Sequence, residues 1–583
     1  MVVNILSAAG ISSFTPTGAI WFDIGVIIII ATTFALIARL FKQPFIPAYV
    51  LGGILIGPVG LGLIQNADVI TVFSEIGLAF LLFFAGLEIS FKKLKDVVNV
   101  SVLAGLGQII AVSLISFVIA LAFSFTKPEA IFLALAIPFS STAIVVKLLA
   151  DKNELNTLHA RIAIGMLLLQ DIIAVIALTM LSTETLAIGA MIGPLFKVAA
   201  LVLFAFVLSK TILKPIFMFA SYSIELLFLS SIAICFLFAL LALLPIFSLP
   251  SLPIVIGSFI AGVLLANSPF KLEIESRLLS LRDFFITIFF VSIGMQIVFT
   301  NFSKYLLPFI CFAAVVIVIE PYISMVIISL FGYTKKTSFL AGLYQAQTSE
   351  FSLILMAQGL LFGYISKEIF SLIVLLTVVT MSITPFLIAK ERFFFEKFSK
   401  GLDIFKRASL NNGVEYETKT KKEVVIFGCH RMGSIFLKAF SNIKKRVLVV
   451  DVDPSITKNL TKQEVPNIYG DMADPDILNR INLKEISLAI STVPDKLDNL
   501  YIIEKIKNAN PKAMIFVTAD FIADALELYK KGADYVVLPQ VAAGEDCISL
   551  LKDLVTKKET LGKTRKSHIE HLQILDKTTY DLD

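Results

Sequence analysis

Charge is what this sequence has least of. Asp, Glu, Lys and Arg make up 16% of its 583 residues against 57% hydrophobic, and the mean hydropathy is +0.87. Soluble domains carry about 25% charged residues, so a wholly soluble protein is excluded and a membrane protein is implied. Cysteine is scarce as well: Cys235, Cys311, Cys429 and Cys547 are scattered along the chain. That excludes a disulfide framework and a CxxC metal site. The net charge is only +5, and its basic residues sit mostly beside apolar runs, so no nucleic-acid footprint is present. The opening MVVNILSAAGISSFTPTG has no basic residue, and a cleaved signal peptide is not expected.

The apolar residues are unevenly distributed. Residues 1–392 read as a membrane domain, 393–421 as a charged linker, 422–545 as a soluble β/α domain and 546–583 as a tail. A spanning helix needs about 20 apolar residues. Thirteen candidates follow one another, centred from about residue 30 to about residue 377. Basic residues cluster after every odd-numbered span, from Arg39 and Lys42, through Lys92, Lys93 and Lys95, to Lys390 and Arg392. The opposite loops hold little more than Lys127, Lys304 and Lys367. This asymmetry predicts an N-terminus outside, a soluble domain in the cytoplasm and an odd number of spans.

Two spans are interrupted by polar residues, AIPFSSTAIVV (Ala136 to Val146) and YQAQTSEFSLI (Tyr344 to Ile354). They are seven spans apart, so a repeat pairing the first span with the eighth is inverted in the membrane. Broken helices at matching places in inverted halves point to a transporter binding site. The span after the first break carries Asp171 in the run LLLQDIIAV. A charged group at bilayer depth costs about 2.5–3.5 kcal/mol on insertion scales. A carboxylate kept there, beside a Ser-Ser-Thr break, fits a site that takes a proton or a cation in turn, because burial raises its pKa and a bound cation lowers it.

After the linker, runs such as EVVIFG, RVLVVDVD, LAISTV and AMIFVTA alternate with helical sequence, which predicts a doubly wound parallel sheet. The first turn runs from Gly428 to Gly433 and has His430 where a G-x-G-x-x-G fingerprint has its middle glycine. Its context fits the fingerprint: a strand before, a helix after, and Asp451 about twenty residues on.

SSTAIVVKLLADKNELNTLHARIAIGMLLLQDIIAV resembles the core of the monovalent cation/proton antiporters of the CPA2 group, and within them the Kef-type potassium/proton antiporters. GSFIAGVLLANS, FFVSIGMQI and QTSEFSLIL agree, and GADYVVLP with Gly470-Asp471 resembles the RCK, or TrkA-N, regulatory domain. The resemblance implies an NhaA-like fold of thirteen helices, with inverted repeats and broken crossing helices, in a homodimer of the cell (inner) membrane. Asp171 would be the exchange carboxylate, with Gln170, Ser140, Ser141 and Thr142 coordinating or orienting. Asp171, Gln170 and Thr142 would hold the transported cation. Glu320 stands where many relatives have lysine and is either structurally paired or a second proton site. Glu350 would stabilise the crossing. A regulatory nucleotide, NAD(H) or AMP/ATP, would meet Gly428, His430, Arg431 and Gly433 with its phosphates, Asp451 with its ribose and Asp471 near its adenine. The cytoplasmic loop KLEIESRLLSLRD carries Arg277 after Glu275-Ser276, so glutathione gating is not expected. K⁺/H⁺ exchange is the expected activity. Na⁺/H⁺ exchange is the alternative, and a nucleotide-gated cation channel is disfavoured because no TVGYG-like filter is present. An enzyme is not expected, since the soluble part is too short for a second, substrate-binding domain.

Overall fold

The computed structural model describes residues 16–41, 43–64, 67–88, 97–152, 154–155, 157–181, 188–220, 223–245, 251–266, 268, 270–298, 302–331, 333–398, 415–416, 421–478 and 480–556. Lys42, Lys92, Lys93, Lys95, most of the expected linker and the tail beyond Thr556 lie outside these. The chain divides into two compact units, one made of Met1–Leu155, His159–Ile328 and Ser338–Lys400, the other of Asn156–Leu158, Ser329–Thr337 and Gly401–Asp583.

Helices build the first unit: α1 (Pro16–Leu40), α2 (Phe45–Ile56), α3 (Ala67–Glu88), α4 (Val98–Ala122), α5 (Lys127–Ala136), α6 (Thr142–Asp151), α7 (Leu158–Leu181), α8 (Ile188–Leu208), α9 (Lys214–Ala220), α10 (Ile224–Leu243), α11 (Ile254–Ala266), α12 (Lys271–Met295), α13 (Phe302–Ala314), α14 (Glu320–Leu330), α15 (Lys335–Leu343), α16 (Glu350–Leu361), α17 (Lys367–Ala389) and α18 (Glu391–Phe398). Among the described residues, eight helical stretches are long and apolar enough to cross a membrane, and four shorter apolar helices accompany them. In hydrocarbon every backbone N–H and C=O must find its partner within the segment, so apolar runs of this length fold as helices.

Two sets of helices pack closely within themselves and meet where α17 lies on α2. One sets α1 on α2, and α2 and α3 against α11 and α12; the other joins α4, α5, α13, α16 and α17. In the first group, small residues let backbones touch. A Cβ on Gly262 of α11 would strike the Phe83 carbonyl and come within 3.0 Å of the Gly86 Cα on α3. Gly262→Val is therefore expected to cost about 1–3 kcal/mol of overpacking, read as a lower melting temperature of the detergent-solubilised protein. An unchanged melting temperature would reject this crossing.

Two sequence expectations change. The stretch read as the loop KLEIESRLLSLRD is the first half of α12: it has no glycine or proline to stop a helix, and Ile274 and Leu278, four apart, are both buried. The stretch read as a linker also holds most of α18 and a short strand, β1 (Glu415–Tyr416).

The second unit contains a seven-stranded sheet: β1, β2 (Val424–Phe427), β3 (Val447–Asp451), β4 (Asn467–Tyr469), β5 (Leu488–Ser491), β6 (Met514–Thr518) and β7 (Tyr535–Val537). The order is β1-β4-β3-β2-β5-β6-β7, parallel except for β1 against β4. β2 and β3 are buried at every position, the pattern of strands covered on both faces. One apolar cluster centres on Phe427, Ile502 and Ile515, another on Ile426, Val449 and Leu460. The chain adds β3 on one side of β2 and then β5 on the other, all three parallel, and this reversal of strand order places a switch point at the Gly428 turn.

Candidate functional site

The first break separates α5 from α6. Pro138 cannot supply a backbone donor, and the chain runs extended until Ser141 caps α6, its hydroxyl accepting from the Ile144 N–H at 3.4 Å. The second break separates α15 from α16, where Ser349 caps α16 and accepts from the Phe351 N–H at 3.1 Å. Each starting half-helix presents a partial positive charge at its first turn. Glu350 lies between the two: its carboxylate accepts from the Ser141 hydroxyl at 2.8 Å and from the Ser349 hydroxyl at 3.3 Å. Ser352 donates to the Ala136 carbonyl at the end of α5, and Thr384 of α17 donates to the Ala346 carbonyl at 2.9 Å. The breaks thus satisfy each other's backbone groups.

Asp171 lies on the unbroken α7, 6% exposed, and accepts from the Thr142 hydroxyl of α6 at 2.9 Å. Its neighbour Gln170 turns into a fully buried amide cluster. Gln170 Oε1 accepts from the Ser140 N–H at 2.9 Å, and its Nε2 donates to Gln108 Oε1 at 2.8 Å and Gln345 Oε1 at 3.1 Å. Gln108, on α4, donates to the Pro138 carbonyl at 2.9 Å and to Glu320 Oε1 at 2.7 Å. Ser140 Oγ stands 3.1 Å from Glu320 Oε1 and 3.0 Å from the Gln345 carbonyl. Glu320 opens α14 just after a π turn, Val315–Ile319, in which its N–H reaches back to the Val315 carbonyl. Pro321 follows and removes a donor from the ladder; π turns of this kind recur at functional sites.

In the second unit, the turn after β2 leads into α19 (Arg431–Ala439). Gly428 has φ +83°, which favours glycine, and a Cβ there would come within 2.7 Å of Thr492 Oγ1. A Cβ on Gly433 would strike the Gly428 carbonyl. His430 is exposed and has φ −77°, so the backbone itself asks for no glycine at that position. Only the helical backbone of Arg431 is described. Asp451, 5% exposed at the end of β3, accepts from the Cys429 N–H at 2.6 Å and the Asp453 N–H at 2.8 Å. Burial pushes its carboxyl above the usual range, partly offset by those two donors, and pushes the Cys429 thiol up to about 12. Asp471 follows β4 and accepts from the Ala473 N–H at 2.8 Å. The turn fits a phosphate group: its first and last residues are glycines, and it ends on the free N–H groups of a helix start.

Residues 26–389 match the family model described as "Sodium/hydrogen exchanger, transmembrane". The chain belongs to this family. Residues 424–539 match the TrkA-N domain. This exchanger-family chain is 31% identical to "K(+) efflux antiporter 5" of Arabidopsis thaliana over 63% of its own length and 65% of that relative. It is 25% identical to "Glutathione-regulated potassium-efflux system protein KefC" of Escherichia coli, over 83% of itself and 77% of the relative. It spans just under two thirds of the Arabidopsis K(+) efflux antiporters 4, 5 and 6, and about two fifths of antiporters 1 and 2. The sodium proton antiporter MjNhaP1 of Methanocaldococcus jannaschii shares its fold at 17% identity and a TM-score of 0.51, covering 63% of this chain and 94% of that one.

Within the exchanger family fold, the structure brings Ser140, Ser141, Thr142, Gln170, Asp171, Glu320 and Glu350 together around the two breaks. Sequence reasoning passed over Gln108 and Gln345. Gln108 gave the same signal as Asp171, one polar residue in an apolar run, but without charge. Gln345 lies inside the quoted break and had no visible partner.

Proposed function

We propose that this chain is a secondary antiporter that exchanges a monovalent cation, K⁺ first and Na⁺ as the alternative, for H⁺. The observation that carries this reading is Asp171, a buried carboxylate hydrogen-bonded by Thr142 at the start of a broken half-helix. A proton neutralises it; so does a cation, with Thr142 and the Gln170 segment completing the shell. The two cannot bind together, and that exclusion is what couples the fluxes. One exchanging carboxylate gives one cation per proton and no net charge moved. The names of the relatives, K⁺ efflux antiporters, support potassium. The two packed helix groups support alternating access, the α4–α5–α13–α16–α17 group moving against the other within a homodimer.

Gly428, His430, Arg431 and Gly433 would face the phosphates of a regulatory nucleotide, NAD(H) or AMP/ATP, with Asp451 at its ribose and Asp471 near its adenine. The reading places the protein in the cell (inner) membrane, with the N-terminus outside and the soluble domain in the cytoplasm. With Arg277 after Glu275 and Ser276, glutathione does not gate it.

Purified protein in liposomes containing a pH dye tests the exchange. Pulses of K⁺, Na⁺ or Li⁺ are added with and without a clamped membrane voltage. Proton flux driven by K⁺ and indifferent to voltage is the expected result. Flux driven by Na⁺ alone would shift the assignment to the alternative, and a cation conductance without proton movement would overturn antiport.

A further inference from the structure

The hydrogens around Ser140 can be counted. Its hydroxyl has one hydrogen and faces two oxygens, the Gln345 carbonyl at 3.0 Å and Glu320 Oε1 at 3.1 Å. A backbone carbonyl never donates, so the line to Gln345 takes the serine hydrogen. The line to Glu320 then needs a hydrogen from Glu320 itself. The same oxygen also accepts from Gln108 Nε2 at 2.7 Å, and a carboxyl hydroxyl can donate and accept at once. Glu320 is 0% exposed, and its second oxygen has no partner among the described residues. A buried carboxylate without a cation is the arrangement proteins avoid.

Glu350 shows the contrast. It is the other buried glutamate of the crossing, and it receives two serine hydroxyls at the first turn of a helix. Donated hydrogens and a helix start favour a carboxylate there, and Glu320 has neither a serine hydrogen nor a free helix start to do the same. Asp171 receives the Thr142 hydroxyl. The three carboxyls around the breaks are therefore not equivalent.

We infer that Glu320 keeps its proton throughout transport and acts as a positioning residue, a neutral acid that holds Gln108 and Ser140 and through them fixes Gln170 beside Asp171. This deepens the antiport reading and rests on it: Asp171 alone exchanges, and Glu320 adds no charge to the cycle.

Infrared spectroscopy and transport together test it. In Asp171→Asn protein, a protonated-carboxyl band is expected, constant across the pH range in which the wild-type flux titrates, and absent once Glu320→Gln is added. In an otherwise wild-type background, Glu320→Gln is expected to keep the wild-type pH midpoint and the same indifference to voltage. Glu320→Ala, which removes both the acid and its bonds, is expected to raise the half-saturating K⁺ concentration about tenfold. A missing band means an ionised Glu320 and overturns the inference. So does a Glu320→Gln protein that elutes as wild type but has a shifted pH midpoint or a voltage-dependent flux, because Glu320 would then carry a proton in the cycle. A Glu320→Ala protein with unchanged K⁺ dependence would overturn the positioning role. A wild-type protein with the band but no cation-driven proton flux would overturn antiport and leave the protonation state standing.

Discussion

Asp171→Asn is expected to reduce cation-driven proton flux to the level of empty liposomes while the protein purifies and melts as wild type. Asparagine has the size and shape of aspartate, and its amide oxygen can still accept from Thr142, which lies 2.9 Å from Asp171 Oδ2. Packing therefore survives. What disappears is the only chemistry an exchange site needs, a group that is negative when empty and neutral when occupied. Flux retained by the variant would remove Asp171 from its role and move attention to Glu350.

Asp451→Ala is expected to weaken nucleotide binding by the full-length protein about 10–100-fold. A hydrogen bond to a charged group contributes about 1.5–3 kcal/mol, and each 1.4 kcal/mol is tenfold in affinity. The carboxylate already accepts from the Cys429 and Asp453 backbones. Each of its oxygens can accept more than one hydrogen, so a ribose hydroxyl has somewhere to bind. Because alanine also frees the Cys429 amide, Asp451→Asn is the partner experiment: it keeps an acceptor for that amide and removes the charge. Calorimetric titration with NAD⁺, NADH, AMP and ATP checks both variants. Unchanged affinity in both would reject the pocket.

Much of this was readable in the residues. Asp171 announced itself because a carboxylate in an apolar run is expensive, and the two breaks because serine, threonine and glutamine cluster where helices cannot use them. The strands β2 to β7 followed from short apolar runs set between helical stretches. The rest depended on long-range geometry. Gln108 bonds Glu320 across 212 positions in sequence, and no local pattern connects an amide in one helix with an acid in another. The π turn before Glu320 arises from Pro321 acting on a helix already committed to its packing, so propensity alone gives no sign of it. The helical character of residues 271–283 was missed because charge was read as loop, although Ile274 and Leu278 supply a buried stripe.

The crossing of the two broken helices is stitched at several points: Ser141 to Glu350, Ser352 to the Ala136 carbonyl, Ser140 to the Gln345 carbonyl. Parts joined in this way cannot part and close independently, as the two leaves of a pore gate must. On the antiport reading proposed above, an ion seated at Asp171 would travel with the piece that holds it. The molecule would then work as a ferry with one berth, its throughput limited by how often the whole vessel crosses. Domain motions take microseconds to milliseconds. Motion on that timescale would put a ceiling on flux well below that of an open conduit.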